Sequence, residues 1–511
     1  MKKIGKWISK NEGLILILVL VVVLRIPSLF EPYWYGDEGI YLALGQGLKK
    51  GLVFYRDIHD NKPPLLYFLA AIAGNVFYFR LMLMVCFSIT VVLFFKLMQA
   101  LFPKIPKAWY LSTLLMIVLT TLTEGNIANA EIFIVLPVVG GVLIAYREVN
   151  PSTSLGTRRK KKEKKILRWL GVGLLFSIGF LLKVPALFDF MAVMIWLWWF
   201  SSKGRSAFGR ELLRIFKNKR LWLMLVGFLL PVLISMAYYT WVGAGERYLR
   251  SALMQNIGYL ASWSTGEHSS SGFATSSGII IRAGLLFTAV LGFWGISKKF
   301  KLSSGVNLMV VLFLFGLFGA LLSERPYPHY LIQPIVPLAI LISYFLFGKR
   351  KIIKLVVLGL VAVAGFYYHQ IKFWHYPIIP YYKNYIDYRL GKKNIDEYRN
   401  YFDFRVTQTY KVAQLITKTT LESDRLFIWG DEPGIYPLSN RLPIGRYTVA
   451  YHVVDFNGFD ETILAFDKYK PKVVVLMKYE KRPFPQLKTR LATDYVLTEK
   501  IDQALIYRSI K

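Results

Sequence analysis

A single cysteine, Cys86, and six histidines stand among 511 residues, and 31 acidic side chains face 64 lysines and arginines. One cysteine excludes any disulfide within the chain. The last 110 or so residues carry no phosphate-cradling Gly-rich motif, no Cys/His metal spacing and no G-x-S-x-G. No internal repeat is visible. Long polar stretches are also scarce: 55% of the residues are hydrophobic and 16% aromatic, above the roughly 45–50% apolar share of a soluble domain. What is present instead is a succession of apolar runs near the roughly 20 residues that cross a bilayer. The chain reads as a polytopic α-helical membrane protein. Its net charge of +33 does not point to nucleic acid, because the cations gather in short loops between apolar runs, the positive-inside pattern. The first run, about 13–30, is too long for a signal peptide and has no small-residue cleavage site, so it reads as a retained helix.

The basic loops are Lys2 to Lys10, Lys104 with Lys107, 158–165, 203–220, 297–301 and 348–354. Placing all six in the cytoplasm requires an even number of crossings between neighbours. Apolar runs near 108–123, 130–147, 166–182, 185–200, 221–242, 276–296, 305–322, 330–347 and 353–370 satisfy this. Between Lys10 and Lys104 parity allows one crossing after the first. We assign it to 81–101, and 64–79, opened by Pro63 and Pro64, becomes a helix along the outer surface. About eleven spans result, in a plasma or inner membrane, with the N-terminus cytoplasmic and the C-terminus outside. The boundaries read 1–372 for the membrane domain, with 31–79 as its first outer loop, 373–400 for a Tyr-rich interfacial connector, and 401–511 for a small extracytoplasmic α/β domain. In that last domain helical patterns at 402–420 and 460–469 alternate with strand-like runs at 425–430, 472–477, 494–499 and 504–509.

The unusual polar residues fall on the outer side. "YWYGDEGIYLALGQGLKKGLVFYRDIHDNKPPLLYF" holds Asp37, Glu38, Asp57, His59, Asp60 and Lys62. Asp37 alone is better explained by capping a helix over 38–50, ended by Gly51, with Ile40, Leu44 and Leu48 resting on the membrane and the other face wet. Capping leaves the second acidic group unexplained, and a helix between the two lets the chain fold back and join them. Gathered carboxylates serve as general bases or hold a divalent ion, with Asp37, Glu38 and Asp60 the metal candidates; nothing demands a cofactor, and the metal stays undecided. Lys183, between two apolar helices, either snorkels or binds an anion. Arg325 and His329 carry the same alternatives, and a pair of cations at a helix junction suits a phosphate. Glu131 either favours a helix start or faces the cavity of Asp37. The loop 243–275 either covers a lipid or is a plain connection.

A base on an outer loop beside cations at the membrane boundary suits transfer of a sugar from a polyprenyl phosphate. The phosphate departs as a stable anion that needs cations, and the acceptor needs a base. These residues resemble the GT-C membrane glycosyltransferases, in the branch of protein O-mannosyltransferases, lipid A aminoarabinose transferases and their bacterial relatives. The resemblance rests on "DEGIY" (37–41), "YRDIHDNKPPLLYF" (55–68), "ANAEIF" (128–133), "LLKVPAL" (181–187) and "RPYPHYLIQPIVP" (325–337), and spans roughly 10–345. It implies a GT-C fold with juxtamembrane helices in the first outer loop. It also implies a lipid-phosphate sugar donor, inversion at the anomeric carbon, Asp37 as base with Glu38 its neighbour, and Lys62 near the donor phosphate. Asn61 stands where bacterial members often carry His or Asp, which leaves the partnership of Asp60 or His59 open. The acceptor, a protein, lipid or glycan, does not transfer by resemblance. The alternatives are a transporter or flippase of lipid-linked sugars, which would place ionisable groups at mid-membrane in repeated halves, and a glycan polymerase or ligase.

Overall fold

The computed structural model describes residues 2–150, 163–200, 218–254, 276–322 and 325–510. The low-complexity basic segment 151–162, most of the basic loop 203–220, the Ser/Gly-rich part of the loop 243–275 and positions 323–324 lie outside the described residues.

Nine described helices are long and apolar enough to cross a bilayer: Asn11–Leu29, Val76–Leu101, Ala130–Val149, Lys165–Leu182, Lys219–Trp241, Ile279–Phe300, Ser304–Leu321, Pro328–Phe347 and Lys351–Ile371. Two shorter apolar helices, Pro106–Leu122 and Ala186–Phe200, occupy the two remaining expected runs, and nine with two makes the eleven read from the sequence. The chain is a multi-pass membrane protein. It divides into two compact units, one of 1–25, 83–237 and 253–376, the other of 26–82, 238–252 and 377–511. These units cut across the linear boundaries at 372 and 400, because residues 26–82 cluster with the C-terminal residues.

The first unit is the helical bundle. Close backbone approach sets part of its packing: a Cβ on Gly173 would stand 2.0 Å from the Met224 carbonyl oxygen, and one on Gly227 2.2 Å from that of Leu170. Small residues at a helix crossing admit such contact. Inside the bundle, Gln333 donates to the Asp189 carboxylate at 2.8 Å and to the Pro185 carbonyl at 3.0 Å.

The second unit takes the ends of two long helices, α1 (Lys2–Leu29) and α4 (Val76–Leu101), with α2 (Gly36–Lys49) and α3 (Leu65–Ala73) between them. The expected continuous surface helix over 64–79 is two pieces. Gly74, at φ +74, turns the chain left-handed and ends α3, and α4 starts at Val76 rather than at 81. The expected wet face of α2 is also absent, since Ile40, Tyr41, Leu42, Ala43 and Leu44 are all buried. α2 and α3 lie backbone to backbone, with a Cβ on Gly45 only 2.6 Å from the Ala71 nitrogen.

The C-terminal residues form one mixed sheet of β1 (Arg425–Trp429), β2 (Leu442–Pro443), β3 (Val473–Met477), β4 (Tyr495–Ile501) and β5 (Ala504–Ser509), ordered β2-β1-β3-β5-β4. β1 runs parallel to β2 and β3, while β5 is antiparallel to β3 and β4. Alternation along the strands sends side chains to two cores. Leu426, Ile428, Val473, Val475 and Met477 join Val412 and Ile416 of the helix Arg405–Thr419, and also Ala43 of α2. Phe427, Trp429 and Val474 pack on the other face with Phe466, Leu487 and Leu491. The sheet is covered on both sides, so β1 and β3 read as unbroken apolar runs.

Candidate active site

The first turn of α2 carries Asp37 and Glu38, adjacent in sequence and separated by about 100° around the helix. That rotation gives them different surroundings. The Asp37 side chain is 35% exposed; its Oδ2 accepts from the Tyr41 hydroxyl one turn on, at 2.8 Å, and stands 3.5 Å from the Lys62 ammonium. Lys62 also lies 5.0 Å from the centre of the Tyr41 ring and 3.9 Å from Asp60. Its own backbone is fixed by the buried Tyr55, whose hydroxyl donates to the Lys62 carbonyl at 2.8 Å.

Glu38 faces inward, with a side chain only 2% exposed. It accepts from both Nε (2.9 Å) and Nη2 (2.5 Å) of Arg80, in α4. Arg80 is itself fully buried, pairs also with Glu31, and donates to the Ser28 carbonyl at 3.2 Å. Glu31 in turn accepts from Tyr381 at 2.6 Å and Trp34 at 2.7 Å. This network of one guanidinium and two carboxylates ties the end of α1, the start of α2 and the start of α4. Bidentate geometry and filled hydrogen-bond capacity are what make such buried charge tolerable.

The second acidic group separates in the same way. Asp57 closes a turn: its Oδ2 accepts from the Val53 amide at 2.8 Å, and Arg56 forks onto both oxygens at 2.9 Å. Although burial raises its pKa, the Arg56 bonds and the Val53 amide hold it below the usual carboxylate value. His59 is buried between Tyr447, Phe456 and His452, with ring centres 5.5, 4.6 and 6.2 Å away. Arg446 and Ser251 approach its Nδ1 at 3.3 and 3.4 Å. Burial, with the neighbouring cations, holds the His59 imidazole well below its ordinary pKa. Asp60 is buried, accepts from the Asn61 amide at 2.6 Å and lies 3.9 Å from His452 Nε2. Asp37, Asp60 and Lys62 therefore come together, whereas Glu38, Asp57 and His59 have other partners.

The remaining candidates lie in the helical bundle. Glu131 begins the helix Ala130–Val149 and pairs with Lys183, which also stands 4.6 Å from the Tyr330 ring centre. His329, in the short turn Pro328–Leu331, has Nδ1 2.6 Å from Glu124 and Nε2 3.6 Å from Glu131. Arg325 is partly buried on the segment entering that turn. Glu131, Lys183 and His329 thus form a second cluster, to which the structure adds the buried Glu124. Among the described residues no group of three or more His, Cys, Asp or Glu side chains is arranged to hold a metal ion.

Sequence reasoning missed Arg80, Tyr41, His452 and Glu124. A signal existed for Arg80, a lone cation at the head of an apolar run, where a charge requires a named partner. Tyr41 sits four residues after Asp37 and so on the same helical face. His452 is distant in sequence, and no spacing links it to Asp60.

No known family and no curated protein matches the chain by sequence. Its structure resembles that of ArnT from Cupriavidus metallidurans bound to undecaprenyl phosphate, with a TM-score of 0.54 at 11% identity over 97% of this chain and 98% of that one. The apo ArnT structure matches with a TM-score of 0.50, also at 11% identity, over 98% of each chain. At that identity the likeness speaks for architecture, and the chain has the GT-C membrane fold expected from its motifs.

Proposed function

We propose that this protein is an integral-membrane inverting glycosyltransferase that moves a sugar from a polyprenyl-phosphate donor to an extracytoplasmic acceptor. The observation that carries the reading is the Asp37–Tyr41–Lys62 group: a partly exposed carboxylate oriented by a tyrosine hydroxyl, with an ammonium 3.5 Å away. Asp37 takes the proton of the acceptor hydroxyl as its oxygen attacks the anomeric carbon. The bond from that carbon to the phosphate oxygen breaks, and polyprenyl phosphate leaves with the electron pair. Lys62 stabilises the charge that develops on the departing phosphate. That ArnT was crystallised with undecaprenyl phosphate supports a lipid-phosphate partner within this fold. The positive-inside pattern of the basic loops supports a cytoplasmic N-terminus with this site outside.

Glu38 enters as a positioning residue, since Arg80 occupies both of its oxygens. Lys183 and His329 remain candidates for contact with the donor phosphate. Glu131 pairs with Lys183 more closely than Asp37 or Asp60 approaches Lys62, so we assign Lys183 a smaller share than Lys62, and Glu124 already meets His329 Nδ1. The test is to incubate detergent-purified wild type and Asp37→Asn with a panel of radiolabelled polyprenyl-phosphate sugars and measure released polyprenyl phosphate. Release by wild type alone supports the assignment. No release from any donor, with movement of the sugar lipid across reconstituted vesicles, would make the protein a transporter.

A further inference from the structure

The loop between α2 and α3 presents Lys62, and the C-terminal residues of the same compact unit hold that loop. The His59 amide donates to the Arg446 carbonyl at 3.0 Å. One backbone hydrogen bond thus ties the loop to the chain just before the short helix Ala450–Asp455. The sheet fixes that helix in turn. Its Ala450 amide donates to the Gly430 carbonyl, just after β1, at 2.9 Å. Ala450 and Val453 are buried in one core with Phe427, Trp429 and Val474 of the sheet. The loop is therefore held in register with a sheet, and one side chain of the helix reaches the acidic group.

That side chain is His452. It is buried against Tyr451 and Phe456, with ring centres 4.4 and 5.4 Å away. Its Nε2 comes within 3.9 Å of Asp60 Oδ1. Its Nδ1 is buried without a hydrogen-bond partner, so Nε2 is the nitrogen that faces a carboxylate. Asp60 is buried as well, and its Oδ2 stands 3.9 Å from the Lys62 ammonium. Tyr67 and the Asn61 amide are its further neighbours. Both separations of 3.9 Å exceed a direct hydrogen bond, but buried charges at that distance attract with little screening. Asp37 stands 3.5 Å from the same ammonium. Lys62 is thus shared between two carboxylates, of which Asp60 is the one shut away from solvent.

We propose that His452 is a positioning residue: it steadies Asp60, which in turn holds the Lys62 ammonium off Asp37, so that the C-terminal sheet domain completes the candidate site. Without Asp60, Lys62 would pair with Asp37 alone, and a carboxylate closed by an ammonium is a weaker base. Without His452, Asp60 loses the imidazole nitrogen that faces it, and a buried carboxylate with fewer donors is less well held. A His452 that only filled space beside Phe456 would act the same whether or not Lys62 is present. The use of Lys62 on a departing phosphate rests on the transferase reading. The coupling of His452 to Lys62 through Asp60 does not.

The test is a double-mutant cycle on the full chain in detergent, with wild type, His452→Phe, Lys62→Ala and the double variant. Each is titrated with undecaprenyl phosphate by tryptophan fluorescence, and assayed separately for release of polyprenyl phosphate from lipid-linked sugars. His452→Phe is expected to weaken binding of undecaprenyl phosphate about three- to tenfold on its own. On top of Lys62→Ala it should cost less than about twofold, because members of one network are not additive. His452→Gln, which keeps an amide nitrogen near the place of Nε2, should recover most of the affinity. An equal loss with and without Lys62, no recovery in His452→Gln, or no binding of undecaprenyl phosphate by wild type would overturn the proposal. Transfer from no donor, with the binding cycle intact, would sink the transferase reading and leave the coupling standing. Transfer by wild type with additive variants would do the reverse. Thermal melting guards against misfolding: His452→Leu replaces His452→Phe if that variant melts early, and early melting of both would make His452 structural and overturn the proposal.

Discussion

Two sides of one helical turn meet different surroundings in this protein. On the side of α2 that carries Asp37, the carboxylate is one-third exposed and is approached by a hydroxyl and an ammonium. On the side that carries Glu38, the carboxylate is shut away and filled by a guanidinium. A group that must exchange a proton with a substrate needs an open coordination position and access. A group that must hold three helix ends in register needs the reverse. Chemical identity is the same, and in the proposed mechanism accessibility decides the role.

Breaking the exposed side should have the largest effect on turnover. Asp37→Asn is expected to lower kcat by about a hundredfold to ten-thousandfold, the usual worth of a general base, with no change in melting temperature; a single-turnover assay of polyprenyl phosphate release measures it. Breaking the buried side should show in stability. Glu38→Gln leaves Arg80 with one carboxylate fewer, and removing a partner from a buried ion pair costs about 3–5 kcal/mol, read as a large fall in melting temperature with activity lost in parallel. If Glu38→Gln melts as wild type does while turnover collapses, Glu38 belongs with the chemistry. Next, Lys62→Ala should raise the apparent KM for the lipid donor about tenfold or more, by loss of a charged hydrogen bond.

A smaller effect sharpens the dry side. The imidazoles of His59 and His452, held below their ordinary pKa mainly by burial, stay neutral in the fold. The unfolded chain takes up protons near 6.5, so the stability they contribute is present above 6.5 and lost as pH falls below it. The melting temperature should drop over that window, and His59→Gln should flatten the slope. Smallest is Lys183→Ala, expected to raise the donor KM by less than about tenfold, because Glu131 already offsets its charge. A change in acceptor dependence alone would remove its phosphate role.

Much of the architecture was legible because length and apolar content mark a membrane span directly. The runs at 108–123 and 185–200 were visible even though their helices are short. β1, β3 and β5 were legible from β-branched and aromatic runs of strand length. β2, two residues long and placed only by its pairing with Arg425 and Leu426, carries no such mark. In the candidate site, clustering of acids singled out the stretch but could not sort Asp37 from Glu38, since the sorting depends on Arg80, 42 residues away. The burial of α2 is not marked by the spacing of Ile40, Leu44 and Leu48, because it depends on close backbone packing of Gly39 on Gly434 and of Gly45 on Ala71, which lie far from them in sequence or beyond a turn.

The most direct measurement compares Asp37→Asn and Glu38→Gln side by side, recording melting temperature and polyprenyl phosphate release for each. The account predicts a stable, inactive Asp37→Asn and an unstable Glu38→Gln. An active Asp37→Asn, or a stable Glu38→Gln without activity, would contradict the division of labour on which it rests.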